Sequence, residues 1–302
     1  MKKKLIVICG PTAIGKTEVA VKIARHFNCE IISADSRQFY IETNAGTAKP
    51  DATQLSEVKH HLINSLHITE DYSAGKFEHD CLNLLEQLFL KNNFAVMVGG
   101  SGLYIDAVLY GIDVPQSDAS VRKMLEEEFN SNGLSALQER LKQLDPVYFE
   151  TNDIQNSQRM MRAIEVSMIT GKPFSSFLNK KPAVRNFEII LIGLNTNREL
   201  LYQRINKRVD TMISNGLKQE CELLFGRRSL NALQTVGYKE MFAHLEGKIN
   251  FDEAVNLIKQ HTRNYAKRQL TWFRRYESMN WFEPEQMSEM IRLIEIERKG
   301  ER

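Results

Sequence analysis

The stretch GPTAIGKT, Gly10–Thr17, has the residue types and spacing of a loop that cradles phosphate groups. Its backbone N–H groups and the start of the following helix form an anion nest. Lys16 adds a point charge, and the Thr17 hydroxyl is suited to holding Mg2+. Gly10, Pro11, Thr12, Ala13, Ile14, Gly15, Lys16 and Thr17 are therefore candidate diphosphate ligands. Such a loop ordinarily announces ATP or GTP, yet the same cradle fits any diphosphate, including one that leaves as a product. Nucleoside triphosphatases usually place a metal-holding Asp after a second apolar strand. Here FAVMVGG ends in glycines and FEIILIGL ends without an acid, so the one strand-terminal carboxylate is Asp35 in IISADSRQFY. At a strand's C-terminal edge, Asp35 suits a base or a metal ligand beside the phosphates. A turn-forming Asp-Ser pair is the competing use of the same residues.

Two basic features follow. In LLYQRINKRVDTMISNG, Arg204 and Arg208 are four apart and share a helix face. Paired guanidiniums suit the oxygens of a diphosphate, although a solvated basic face uses the same spacing. From Lys259 to Tyr276 the sequence KQHTRNYAKRQLTWFRRY holds six Lys or Arg and no acid, interleaved with Tyr265, Trp272 and Phe273. Cations alternating with aromatics fit an RNA backbone with splayed bases. The aromatics also fit a core, since Leu270 and Phe273 lie at helical spacing. Arg159 and Arg162, in SQRMMRAIEV, form a smaller cluster.

The elements that must carry these residues are legible in the apolar pattern. LIVIC before the phosphate loop, EIISAD, FAVMVGG and FEIILIGL are compact apolar runs, alternating with helical segments. That alternation predicts an α/β fold with a parallel sheet flanked by helices. From about Ser117 to Lys181 no strand-like run occurs, and SDASVRKMLEEEF, LSALQERLKQL and QNSQRMMRAIEVSMITG all read as helices. Asp118 or Ser117 is suited to cap the first, and Gly171 followed by Pro173 to stop the last. The expected organisation is a core of residues 1–116 and 182–302 with an all-helical insertion at 117–181. From Arg198 onward the pattern is almost wholly helical.

Composition sets outer bounds. The chain has 302 residues, 42% apolar and 26% charged, with a net charge of +2 that implies no partner by itself. Cys9, Cys29, Cys81 and Cys221 are widely separated, which argues against a zinc site or disulfide framework and for reduced thiols in the cytoplasm. The apolar run behind MKKK spans only Leu5–Cys9, too short for a signal peptide or a membrane span.

The ordered series GPTAIGKT, ISADSRQFY, GTAKP, HHLI, YSAGKF, VGGSGLY, QRMMRAIEV, RVDTMISNGL, QTVGYKE and AKRQLTWFRR resembles the tRNA dimethylallyltransferases, also called tRNA isopentenyltransferases. The resemblance spans residues 5 to 282. It implies a P-loop core and transfer of a dimethylallyl group from dimethylallyl diphosphate, with Mg2+, to N6 of the adenosine 3′ of the anticodon. The tRNAs concerned are those reading codons that begin with U. It further implies Asp35 as general base, with Ser36, Arg37 and Gln38 near the target nucleotide, and Ser101 and Arg122 lining the reaction channel. Ser101 stands where bacterial relatives often carry Thr. By the same resemblance tRNA contacts are expected at Gln158, Arg159, Met160, Met161 and Arg162, at Gln234, Gly237, Tyr238 and Lys239, and at Lys267, Arg268, Gln269, Trp272 and Arg274. The helical insertion is expected to clamp the anticodon stem-loop. Arg208 is preferred over Arg204 as the diphosphate-facing arginine, and a monomer without membrane association is expected. Two rivals remain at this stage: a small P-loop kinase with a helical lid, and a non-catalytic RNA-binding module switched by a nucleotide.

Overall fold

The computed structural model of the chain describes residues 2–112, 115, 117–178 and 183–299. In chain order the first elements are β1 (Lys4–Cys9), α1 (Lys16–His26), β2 (Ile31–Ser33), α2 (Ala52–Glu57), β3 (His60–His61), α3 (Ala74–Lys91), β4 (Phe94–Gly99) and α4 (Gly102–Tyr110). Four helices follow: α5 (Ala119–Leu144), α6 (Pro146–Thr151), α7 (Ser157–Thr170) and α8 (Ser175–Leu178). The remainder comprises β5 (Glu188–Leu194), α9 (Arg198–Ser214), α10 (Leu217–Leu224), α11 (Tyr238–Leu245), α12 (Phe251–Phe273), β6 (Asn280–Phe282) and α13 (Met287–Lys299).

The six strands form one sheet in the order β3-β2-β4-β1-β5-β6, and every pairing in it is parallel. β1 lies at the centre because both its faces are covered. Leu5, Val7 and Cys9 enter one core with Phe77, Leu85 and Phe273, while Ile6 and Ile8 enter another with Val19, Ile23, Ile205 and Ile294. An all-apolar strand is what such double burial requires. The α/β expectation holds, with two additions. β3 and β6 escape a pattern search because these short edge strands, HH and NWF, carry no compact apolar run like the IIS of the equally short β2. The segment after Arg198 is almost wholly helical, as expected, with β6 its one strand among the described residues.

The chain divides into two compact units, Met1–Leu109 with Arg185–Arg302, and Tyr110–Val184. Residues 116 and 179–182, where the expected limits of the insertion fall, lie outside the described residues. Within the second unit a small core of Leu125, Leu137, Leu141, Tyr148, Met160, Met161 and Ile164 holds α5, α6 and α7 together. The Asp118 carboxylate caps α5, whereas the Ser117 hydroxyl donates to Glu165 instead. α5 is broken at Gly133, whose φ of 74° and ψ of −167° are not helical, so its two halves match the two helices read from sequence. Gly171 ends α7 in the left-handed conformation.

The C-terminal ends of β2 and β4 approach closely: a Cβ on Gly99 would lie 2.1 Å from the carbonyl oxygen of Ala34. No side chain fits there. Gly99→Ala therefore forces the two strands apart and should destabilise the fold by about 1–3 kcal/mol, as overpacked cores do. Urea unfolding checks this, and an unchanged midpoint would contradict the contact.

Candidate active site

The phosphate loop follows the strand–loop–helix pattern: β1 ends at Cys9, Gly10 turns with φ 151°, Ala13 with φ 64° and Gly15 with φ 102°, and α1 starts at Lys16. A side chain on Gly10 would meet the Leu194 carbonyl oxygen at 2.6 Å, so this glycine serves both the turn and the close pass of β5. At the loop's mouth lies a cavity of about 240 Å³, lined by Thr12, Ala13, Gly15, Lys16 and Thr17 together with Asp35, Gln38, Arg208, Tyr265 and Gln269. Ala48, Lys49 and Pro50 complete one wall. This is the C-terminal edge of the parallel strands, where open α/β sheets bind ligands.

The charged groups lining the cavity are Lys16, Lys49 and Arg208 and the carboxylates of Asp35 and Glu18. Lys16 Nζ donates to the Pro11 carbonyl at 2.7 Å. Burial, then the neighbouring Arg208 guanidinium, pulls the Lys16 ammonium down to about 8, with Asp35 opposing. Burial likewise lowers Arg208, again with Asp35 as the largest opposing influence. Tyr265 is pushed up to about 12 by burial and then by Asp35, so its phenol stays neutral at ordinary pH. One Asp35 carboxylate oxygen accepts the Arg37 backbone N–H at 3.0 Å, the turn that an Asp-Ser pair favours. Asp35 thus forms the turn and lines the cavity at once. Ser101 closes this corner: its hydroxyl accepts the Ser36 N–H at 2.9 Å and lies 3.1 Å from the Ser36 hydroxyl.

The structure separates the arginine pair. Arg208 lines the cavity and donates to the Thr47 carbonyl at 3.4 Å. Arg204 donates to the Ile14 carbonyl at 3.3 Å and pairs with Glu285 at 3.0 Å, in a different cavity that also includes Glu18 and Lys22. Their helical spacing is right, but the loop passes between their reach. Gln269, expected on an RNA-facing surface, is buried instead. Its side-chain oxygen accepts the Thr12 N–H at 2.8 Å and its amide donates to the Gly100 carbonyl at 2.9 Å. Gln38 is also buried, donating to the Thr47 and Ala48 carbonyls.

Several other expected contact residues are core. Tyr238 is fully buried beneath Gly46, and its hydroxyl donates to Glu220. Met160 and Met161 fill the interior of the helical unit, so their side chains present no surface to RNA. Gly237 starts α11 at φ 99°. Trp272 is half-buried against Gly102, with the Arg275 guanidinium 4.1 Å above its ring. Lys239, Lys267, Arg268, Arg274 and Gln234 are exposed, as are Gln158 and Arg159. Within the helical unit, Arg122 pairs with Glu126 and Gln158, and Arg162 with Glu165 and the Pro115 carbonyl. The run of cations on and just after α12 is also less bare than its sequence implies, because other elements supply partners. Lys259 pairs with Asp210 at 2.6 Å and Arg275 with Asp106 at 3.3 Å. The cavity residues not among the site candidates read from sequence are Glu18, Ala48, Lys49, Pro50, Gln54 and Tyr265. Tyr265 stood among the interleaved aromatics, and Lys49 within GTAKP.

A family model described as IPP transferase matches residues 38–276. The chain belongs to the IPP transferase family. It is 51% identical to a tRNA dimethylallyltransferase of Christiangramia forsetii, over 96% of this chain and 97% of that one. It is 48% identical to one of Flavobacterium psychrophilum, over 92% and 93% of the two chains. Among solved structures, the full-length tRNA isopentenylpyrophosphate transferase of Bacillus halodurans superposes with a TM-score of 0.72 at 36% identity, covering 97% of this chain and 96% of that one. A eukaryotic dimethylallyltransferase acting on tRNA gives a TM-score of 0.75 at 28% identity, covering 89% and 69%. The phosphate loop lies upstream of the matched residues 38–276.

The Lys16 environment predicts a pH signature. Its pKa in the fold, about 8, lies below the ordinary 10.5, so between those values the unfolded chain binds more protons than the folded one. Lys16 therefore costs stability below pH 8, and the cost fades as pH rises toward 10.5. Lys16→Met should raise stability at pH 7 by about 1–3 kcal/mol while weakening pyrophosphate binding. Thermal unfolding at pH 7 and pH 10 checks it. A variant less stable than wild type at pH 7 would contradict the burial argument.

Proposed function

We propose that this chain transfers a dimethylallyl group from dimethylallyl diphosphate to the exocyclic N6 of the adenosine 3′ of the anticodon, in tRNAs reading codons that begin with U. The products are N6-isopentenyladenosine and diphosphate. The observation that carries this reading is one cavity shared by the phosphate loop, Lys16, Arg208 and Asp35. It brings a diphosphate cradle within the same space as a carboxylate. The names of the relatives, tRNA dimethylallyltransferases, agree with it.

The adenine amine is a poor nucleophile because its lone pair is delocalised into the ring. Asp35 takes the N6 proton as the C–N bond forms, acting as general base. The C–O bond to the diphosphate breaks, and the charge that develops on the leaving oxygens is met by Lys16, Arg208 and the loop amides. Ser101 orients the strand end that carries Asp35 by holding the Ser36 amide. Because both the leaving group and the allylic centre react readily with water, a half-enclosed cavity favours transfer over hydrolysis.

The residues present fit Mg2+. Thr17 supplies a hydroxyl at the cavity, and among the described residues there is no cluster of three His, Cys, Asp or Glu that would form an all-protein cage. A Mg2+ here would be held by Thr17, diphosphate oxygens and water, the usual manner for this ion, and would supply charge to the leaving group.

The target base is stacked in an anticodon loop and has to be extruded to reach Asp35. Exposed Lys267, Arg268 and Arg274 on and just after α12 are the proposed phosphate contacts in the first unit, and Arg159 one in the helical unit, which we propose grips the stem. The four buried free thiols and the tRNA substrate suit the cytoplasm, and among the described residues no helix is long and apolar enough to cross a membrane.

The deciding experiment incubates the protein with an anticodon stem-loop, dimethylallyl diphosphate and Mg2+, and measures RNA mass. A gain of one prenyl unit is expected; no gain from folded protein, with thermal stabilisation by ATP–Mg2+ but not by the prenyl donor, would instead favour phosphoryl transfer. Asp35→Asn should bind the stem-loop as wild type does while turnover falls by roughly 10²–10⁴-fold, the range for a lost general base. Near-normal turnover would remove Asp35 from that role.

A further inference from the structure

Residues 44–50 form a loop with no regular ladder, yet Ala48, Lys49 and Pro50 line the cavity. Such a wall keeps its position only if its backbone is tied down. Its later half is tied from the cavity side. Gln38 donates to the Thr47 and Ala48 carbonyls at 3.4 and 3.3 Å, and Arg208 donates to the Thr47 carbonyl at 3.4 Å. Lys49 Nζ turns back to the Tyr40 carbonyl at 2.6 Å and to the side-chain oxygens of Asn44 and Asn64.

The first half is tied from the other side, by a single carboxylate on α10. One oxygen of Glu220 accepts the Asn44 and Ala45 N–H groups at 2.7 and 2.9 Å. The other accepts the Gly46 N–H at 3.1 Å and the Tyr238 hydroxyl at 2.5 Å. Three consecutive backbone amides converging on one point make an anion-binding concavity, and here the protein supplies the anion itself. Gly46 sits so close to Tyr238 that a Cβ would lie 2.4 Å from the ring, so the loop is pressed onto a fixed surface while the carboxylate pulls on its amides. Glu220 itself does not line the cavity.

We propose that Glu220 is a positioning residue for the prenyl-donor site: by holding the Asn44, Ala45 and Gly46 amides it fixes the Thr47–Pro50 wall and the carbonyl on which Arg208 rests. The inference rests on reading the cavity as the donor diphosphate site. It requires the charged form. An amide of the same shape would turn an NH2 group toward N–H donors on one of its two sides, whichever way it is flipped, whereas a carboxylate offers acceptors on both.

The test uses the full chain and steady-state kinetics with dimethylallyl diphosphate and an anticodon stem-loop, plus calorimetry with inorganic pyrophosphate. Glu220→Gln keeps the shape and removes the anion. It should raise the donor KM and the pyrophosphate Kd by about tenfold, the scale of one lost charge-assisted hydrogen bond, with the stem-loop KM within about twofold of wild type. Glu220→Asp, which keeps the charge on a shorter stem, should lie between the two. Tyr238→Phe removes one of four donors and should raise the donor KM by about two- to threefold; it carries the test if Glu220→Gln fails to fold. Folded variants with an unchanged donor KM, or with both KM values raised alike, would overturn the inference. Lys16→Ala run in parallel separates the two ideas: unchanged pyrophosphate binding there would overturn the donor-site reading itself, whatever Glu220 does.

Discussion

Two cations, Lys16 and Arg208, are held against one strand-end carboxylate, Asp35, in a half-enclosed cavity, and each cation lowers its affinity for protons because of that confinement. Burial of the two cations, with the Arg208 charge second at Lys16, is a standing cost of the fold. A diphosphate, the ligand proposed for this cavity, would relieve it by supplying negative charge at the loop amides. The rest of the first unit can be understood as what holds these charges in place before any ligand arrives. Preorganisation of this kind is what makes electrostatic stabilisation of a leaving group effective, since no reorientation is required during reaction.

The parallel sheet does the placing. β1 delivers the phosphate loop, β2 delivers Asp35, and β4 delivers Ser101, all at the same edge because all three strands run the same way. The lateral distances follow from side-chain size: Gly99 lets β4 slide against Ala34, and without that missing side chain Asp35 and Ser101 would not share a corner. Arg208 comes from α9 and Tyr265 from α12, packed through Ile205, Ala266 and Leu270 to the face of the sheet that also carries α1.

Local pattern carried much of this. The phosphate loop, the strands β1, β2, β4 and β5, the caps at Asp118 and Gly171, and Asp35 as an acid just past a strand were all readable, because each depends on residues near in sequence. What was not readable depends on partners far away in the chain. Arg204 and Arg208 look equivalent on a helical wheel, and only the course of the loop past Ile14 and the acid at Glu285 divide them. Tyr238 and Gln269 have polar groups and sit in motifs that resemble RNA-contacting segments. Their burial is decided by Glu220, Thr12 and Gly100, whose positions no window of sequence contains. The cations of α12 lacked acids within their own stretch, yet Asp210 and Asp106 meet two of them from elsewhere.

The buried amide of Gln269 has a mechanical meaning beyond its hydrogen bonds. One end grips the phosphate loop at Thr12 and the other grips the Gly100 carbonyl just past β4, while Lys267 and Arg268, the two residues before it, face solvent on the same helix. Hydrogen bonds of 2.8 and 2.9 Å tolerate only about half an ångström of stretch before they weaken steeply. α12 is therefore neither a loose arm nor an inert strut. Its one buried amide ties the helix that carries the exposed Lys267 and Arg268 both to the loop backbone at Thr12 and to Gly100.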